Sequence, residues 1–283
     1  MASHDATSVL IDGLCFGEGP RWHDGKLWFS DIHAHWVMTV DAEGRLARVV
    51  EVPSAPSGLG WLPDGRLLVV SMQDRRLLRL DTTGLTEFVD LGPLERGICN
   101  DMVVDARGYA YVGGMGFGFA RGEEYRPGAV LLVTPTGEAR VAAEEMLFPN
   151  GSVVTPDGAT LIVAETRAAR LTAFDILPDG GLGRRRVWAA VDGMTPDGIC
   201  LDAEGAVWVA SPMTGEVLRV REGGEVADRV RPSQRPYACA LGGACGRTLF
   251  VLTAQSHSPT KVRALQSGRI ETVEVEVPGV GSP

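Results

Sequence analysis

A five-residue unit recurs six times along the chain, each copy followed by a turn and then by short β-rich runs. Together these features predict an all-β fold, a six-bladed β-propeller of four-stranded blades. The copies begin at Glu18-Gly19-Pro20-Arg21-Trp22, Ser57-Gly58-Leu59-Gly60-Trp61, Asn100-Asp101-Met102-Val103-Val104, Asn150-Gly151-Ser152-Val153-Val154, Asp197-Gly198-Ile199-Cys200-Leu201 and Tyr237-Ala238-Cys239-Ala240-Leu241. Their first residues are 39, 43, 50, 47 and 40 positions apart, the period of a propeller blade, about 40–50 residues. Equivalent positions in a propeller form a ring about the central axis. The six first-position side chains should therefore converge.

Blade one sets the template. Its strand A covers 19–22, the Asp24-Gly25 turn makes a hairpin, and strand B covers 27–30. A loop at 31–36 leads to strands C and D at 37–41 and 46–52. Up-and-down pairing places the A–B and C–D turns at one end, the bottom. The B–C loops and the D-to-A crossovers lie at the top, beside the ring. The remaining blades repeat the pattern, with long B–C loops at 114–127 in blade three and 253–266 in blade six. The first of these carries Phe117, Phe119 and Arg121. Blade six lacks a fourth strand at the C-terminal end, whereas 8–12 is a strand-like run without a blade. It precedes Glu18 as every D strand precedes its next A strand, so it should close blade six and seal the ring, leaving no exposed sheet edge there. The expectation is one propeller domain over 1–283, with 1–7 a flexible tail and no helix-period pattern anywhere.

Composition narrows the function. The 283 residues are 45% hydrophobic, enough for a large core, and carry a net charge of −9. That charge argues against nucleic acid or an anionic membrane as partner. No apolar run reaches the roughly 18 residues of a spanning helix, and Met1–Thr7 lacks the layout of a signal peptide. Five cysteines without a C-x-x-C pair fit a reducing cytosol better than a disulfide framework. The expectation is a cytoplasmic protein, a monomer or weak homo-oligomer, acting on a small molecule.

The predicted ring is rich in oxygen donors. Glu18 and Asp197 bring two carboxylates to one small volume, Asn100 and Asn150 add amides, and Ser57 adds a hydroxyl. Two bare carboxylates in a narrow channel repel, and one would have to take a proton. A divalent cation removes that conflict. Hard oxygen donors favour Ca²⁺, Mg²⁺ or Mn²⁺ over a thiolate-type zinc site. Few protein ligands leave open positions, as in a catalytic Lewis acid. The plainer alternative is a wet channel lined by polar residues.

Gly17-Glu18-Gly19-Pro20-Arg21-Trp22, Asn100-Asp101, Phe148-Pro149-Asn150-Gly151 and Thr195-Pro196-Asp197-Gly198 together resemble the signatures of the senescence-marker-protein, gluconolactonase and luciferin-regenerating-enzyme family. The resemblance covers nearly the whole chain. It implies a lactone hydrolase with one divalent metal ion, Ca²⁺ first and Zn²⁺, Mn²⁺ or Mg²⁺ as alternatives. It also implies Glu18, Asn150 and Asp197 as ligands, Asp197 as the catalytic base, and Asn100 as a substrate contact or an extra ligand. Two departures stand out. Sugar-lactone members typically carry an arginine where this chain has Ile98, and carboxylates where it has Gly116-Phe117-Gly118-Phe119. Both changes make the pocket mouth more apolar, so the expected substrate is less polyhydroxylated than an aldonolactone. On the rim, Phe117, His33, Gln73, Glu165, Met213 and His257 are candidate substrate contacts. Loop packing is the bland alternative for each. Two rival functions remain: phosphotriester or fluorophosphate hydrolysis at the same metal, and a non-catalytic binding propeller.

Overall fold

The computed structural model describes residues 2–4, 7–118 and 122–281. Six sheets stand around a central axis, each built from strands consecutive in sequence except where the chain's first two strands join the sheets of blades five and six. The innermost strands are Gly17–His23, Pro56–Trp61, Cys99–Val104, Pro149–Val154, Ile199–Leu201 and Arg235–Gly242. Each packs against the innermost strands of both neighbouring blades, and Arg235–Gly242 packs against Gly17–His23 to complete the circle. The predicted closure is present: Ser8–Leu14 pairs antiparallel with Gly268–Glu274 as the outer strand of blade six. Glu271, fully buried, accepts hydrogen bonds from Ser233 N (2.8 Å), Thr253 Oγ1 (2.9 Å) and the Thr7 hydroxyl, tying the two chain ends together.

Apolar side chains fill the seams between blades. One buried cluster joins Leu27, Phe29 and Met38 of blade one to Ala238, Phe250 and Ile270 of blade six, and comparable clusters occupy the other five seams. Successive residues of a strand face opposite sides. A strand packed on both faces must therefore be apolar at nearly every position, as Leu67–Ser71 and Val207–Ser211 are.

Glycines after the ring residues set how closely blades approach. A Cβ at Gly151 would lie 2.6 Å from Ile199 N, and one at Gly198 would lie 2.6 Å from Ala238 Cα. Without side chains, these two residues send their amides across the seam. Gly151 N donates to Asp197 O (3.2 Å) and Gly198 N to Tyr237 O (2.8 Å). The same repeat that marks the ring in sequence thus bonds one blade to the next.

Two expectations change. Residues 2–4, expected in a tail, run parallel to Val226–Val230 as a fifth strand of blade five. Residues 259–265, within the long top loop of blade six, form a helix, Pro259–Leu265. Seven residues are too few to display a helical period. The local signal is Pro259 at the first helical positions, where a missing N–H costs nothing, with Val262 as the buried anchor. No helix among the described residues is long and apolar enough to cross a membrane. Phe119 and Arg121 lie outside the described residues.

Candidate active site

Bulges aim the ring. In blades one, two, three, four and six the register between innermost strand and neighbour slips across the ring residue or beside it: between Glu18 and Arg21, Pro56 and Leu59, Cys99 and Met102, Pro149 and Ser152, and Pro236 and Ala238. A bulge bends its strand and redirects a side chain. Blade five reaches the same end differently. Its innermost strand starts only at Ile199, while Asp197 N donates to Ala210 O (3.0 Å) and Ala210 N to Gly198 O (3.0 Å).

Five of the six ring residues, Glu18, Asn100, Asn150, Asp197 and Tyr237, line one top-face pocket of ≈ 300 Å³. Ser57 sits beneath them, its Oγ 3.4 Å from Asn100 Oδ1. Asn100 Nδ2 donates to Asn150 Oδ1 (3.2 Å), and Asn150 Nδ2 donates to Thr166 Oγ1 (3.3 Å), which itself donates to Pro196 O (2.7 Å). This chain of bonds fixes both amides at the floor.

Glu18 and Asp197 are the strained pair. Neither makes an ion pair among the described residues. Burial, then the charges of Asp197 and Asp101, hold the Glu18 carboxyl well above the ordinary range. Burial pushes Asp197 up to about 8, with a hydrogen bond from Asn150 opposing and Asp101 adding to the shift. Both lie deep in the molecule yet keep partial exposure, because they face the pocket. The basic group nearest the floor is engaged elsewhere: buried Arg21 pairs with Asp101 (3.2 Å) and donates to Met102 O (2.5 Å).

These residues fit a divalent cation. The donors are hard oxygens, two of them carboxylates whose mutual repulsion such an ion would relieve. Among the described residues no three His, Cys, Asp or Glu side chains cluster as a metal site. The third protein ligand would therefore be an amide oxygen, that of Asn150.

Above the floor the wall is apolar, with Phe16, Ile32, Met72, Ile98, Met115 and Phe148 all lining it. Of the predicted rim contacts, His33, Gln73, Met213 and His257 line the pocket. His33 is held down to about 4 by burial first and then by the nearby Arg263 and His35, so it is a neutral imidazole near pH 7.

Two predicted contacts are not in the lining. Phe117 is buried behind it, 5.8 Å from the Phe148 ring and 5.3 Å from Tyr125. It backs the wall instead of forming it. Glu165 is fully buried and turned away. It accepts Leu147 N (2.7 Å) and Arg170 Nε (3.0 Å) and pairs with Arg185 (3.3 Å). Its role is shared by position. At the end of strand B, Asp31 accepts Cys15 N and Phe16 N, and Ser211 Oγ accepts Thr195 N, so each pins the crossover entering its own blade. Sequence reasoning placed Tyr237 in the ring without giving it a role, and missed Arg235 as a pocket residue. The place of Tyr237 in the repeat was the available signal.

Residues 16–255 match the family model described as SMP-30/Gluconolactonase/LRE-like region. This chain belongs to that family. A 6-deoxy-6-sulfogluconolactonase of Pseudomonas putida is 28% identical over 286 residues, covering 97% of this chain and 96% of the relative. Regucalcin of Xenopus laevis is 25% identical across 95% and 94%. Among solved structures, regucalcin from Agrobacterium tumefaciens, described as a calcium-binding protein, superposes with a TM-score of 0.84 at 25% identity, covering 100% of this chain and 99% of that one. A luciferin-regenerating enzyme superposes at 0.83 with 17% identity over 98% of both chains and attests the shared fold.

Proposed function

We propose that this family member hydrolyses a lactone in the top pocket, with Glu18, Asn150 and Asp197 as the protein ligands of one divalent cation. The observation that carries the reading is the pair Glu18 and Asp197, two carboxylates at one pocket floor without a cationic side chain paired to either. Full-length similarity to a sulfogluconolactonase supports ring opening of a cyclic ester. Similarity to a calcium-binding regucalcin supports the ion, with Ca²⁺ as first choice.

A bound cation would supply Lewis-acid polarisation of the lactone carbonyl. The chain's own residues do the rest. Asp197 stands at the floor as the group that takes the proton of the attacking water. Asn100, fixed through Asn150, offers its amide to the substrate. The apolar wall excludes bulk water, which strengthens each polar contact inside.

Ile98, Met115 and Phe148 in that wall offer no partners for a ring of hydroxyl groups, and unpaired polar groups are costly to bury. The substrate is therefore less hydroxylated than an aldonolactone. A pH-indicator assay over sugar and aliphatic lactones, with and without chelator, tests this. Aliphatic lactones should show the higher kcat/KM, chelation should remove the activity, and added divalent ion should restore it. Best turnover of gluconolactone-like substrates would defeat the substrate assignment. Activity indifferent to chelator would defeat the metal.

A further inference from the structure

Above its acidic floor the pocket is lined by one fixed cation and two imidazoles, of which that of His33 is neutral near pH 7. They are Arg235, His33 and His257, with no Asp or Glu among the rim residues of the lining. Arg235 and Tyr237 lie two residues apart on the innermost strand of blade six, and both line the pocket.

Arg235 is exposed at the mouth and makes no ion pair among the described residues, its neighbour being the Tyr237 phenol. Other rim arginines are engaged: Arg263 holds His33 O (3.3 Å) and the His35 ring, and Arg167 lies over Tyr125 at 4.0 Å. Tyr237 is 4% exposed, its ring 4.7 Å from Phe16 and 6.4 Å from His257; its hydroxyl meets no partner in good hydrogen-bond geometry, and the polar group beside it is the Arg235 guanidinium. A buried phenol oxygen without a well-placed partner is costly. Beside a guanidinium that makes no ion pair, at a cavity wall, it is a donor that a ligand acceptor would satisfy.

We infer that Arg235 and Tyr237 form an anion subsite, and that the lactone carries an acidic substituent, a carboxylate or sulfonate, directed to the rim of blade six. The inference rests on the lactonase reading and refines its substrate class. The lactone ring sits over the acidic floor, its aliphatic part against Phe16, Ile32 and Phe148, and its anionic arm reaches Arg235. The guanidinium fork suits a two-oxygen anion. The Tyr237 hydroxyl donates one further bond.

The test compares two lactones of equal ring size, one with a carboxymethyl arm and one with the neutral methyl ester of that arm. Wild type should prefer the acid about ten-fold in kcat/KM. Arg235→Gln should bring the acid-to-ester ratio close to one. Turnover of the ester with no preference for the acid, or a preference that survives Arg235→Gln, overturns the subsite while the lactonase reading stands. If neither lactone is turned over, calorimetry of the ring-opened products decides the subsite separately. The dicarboxylate should bind wild type about ten-fold more tightly than it binds Arg235→Gln, and equal binding overturns the proposal. Tyr237→Phe should weaken dicarboxylate binding a few-fold without lowering Tm, since its hydroxyl meets no partner in good hydrogen-bond geometry in the free protein. A fall in Tm with binding unchanged would assign Tyr237 to structure alone.

Discussion

Two sets of buried carboxylates in this propeller have opposite surroundings. Glu165 and Glu271 sit among the blades. Burial pushes each up, but amide, hydroxyl and, for Glu165, arginine donors outweigh it and leave both below the usual range. Glu18 and Asp197 sit at the ring, buried beside one another and near Asp101, and both are driven up. The first pair is satisfied by its own chain. The second is completed only by something the chain does not supply. Burial alone does not distinguish an architectural acid from a functional one; the supply of donors does.

Substitution should separate the two sets. Asp197→Asn should lower kcat/KM by about three orders of magnitude or more and leave Tm equal or higher, because a neutral amide avoids the cost of a buried carboxylate near Glu18 and Asp101. Glu165→Gln should do the reverse. It leaves Arg170 and Arg185 without their carboxylate partner, destabilising by about 2–3 kcal/mol, with kcat/KM within about two-fold of wild type. Denaturant unfolding and steady-state kinetics on both variants check the crossing. An inactive Glu165→Gln with wild-type stability would break the comparison.

The smaller effect is in pH. For Asp197 and Glu18, folded values above the unfolded ones mean that their contribution is full below about pH 4 and is lost as pH rises through the folded values, about 8 for Asp197. For Glu165 and Glu271, depressed values mean a contribution present above about pH 4.5 and lost as pH falls. Without divalent ions, Tm should therefore peak in mildly acidic solution and decline toward pH 8. Saturating Ca²⁺ should remove the alkaline decline. A chelated protein whose Tm climbs steadily from pH 5 to 8 would contradict the assignment.

The repeat made the blades, their order and the ring closure legible, because each copy carries a ring residue, a seam glycine and a turn. The floor was legible for the same reason: Glu18, Asn100, Asn150 and Asp197 occupy matched places. The rim was not. Its residues lie in B–C loops of unequal length, where no repeat says which side chain turns inward. Glu165 and Phe117 were placed there by position, yet local donors claimed the first and the Phe148–Tyr125 cluster claimed the second. The helix at Pro259–Leu265 escaped because two turns anchored by Val262 leave no periodic trace. Tyr237 stood in the repeat, but a phenol without a well-placed partner is a fact of packing, visible only once the neighbours are in place.

The central claim is that Glu18, Asn150 and Asp197 together hold one divalent ion. Calorimetric titration of chelator-treated protein with Ca²⁺ tests it most directly, beside the same titration of Asp197→Asn and Glu165→Gln. The account predicts one ion per chain for wild type and Glu165→Gln, and none, or binding weakened at least a hundred-fold, for Asp197→Asn. Wild-type protein that takes up no ion, or Asp197→Asn that binds as wild type does, would contradict it.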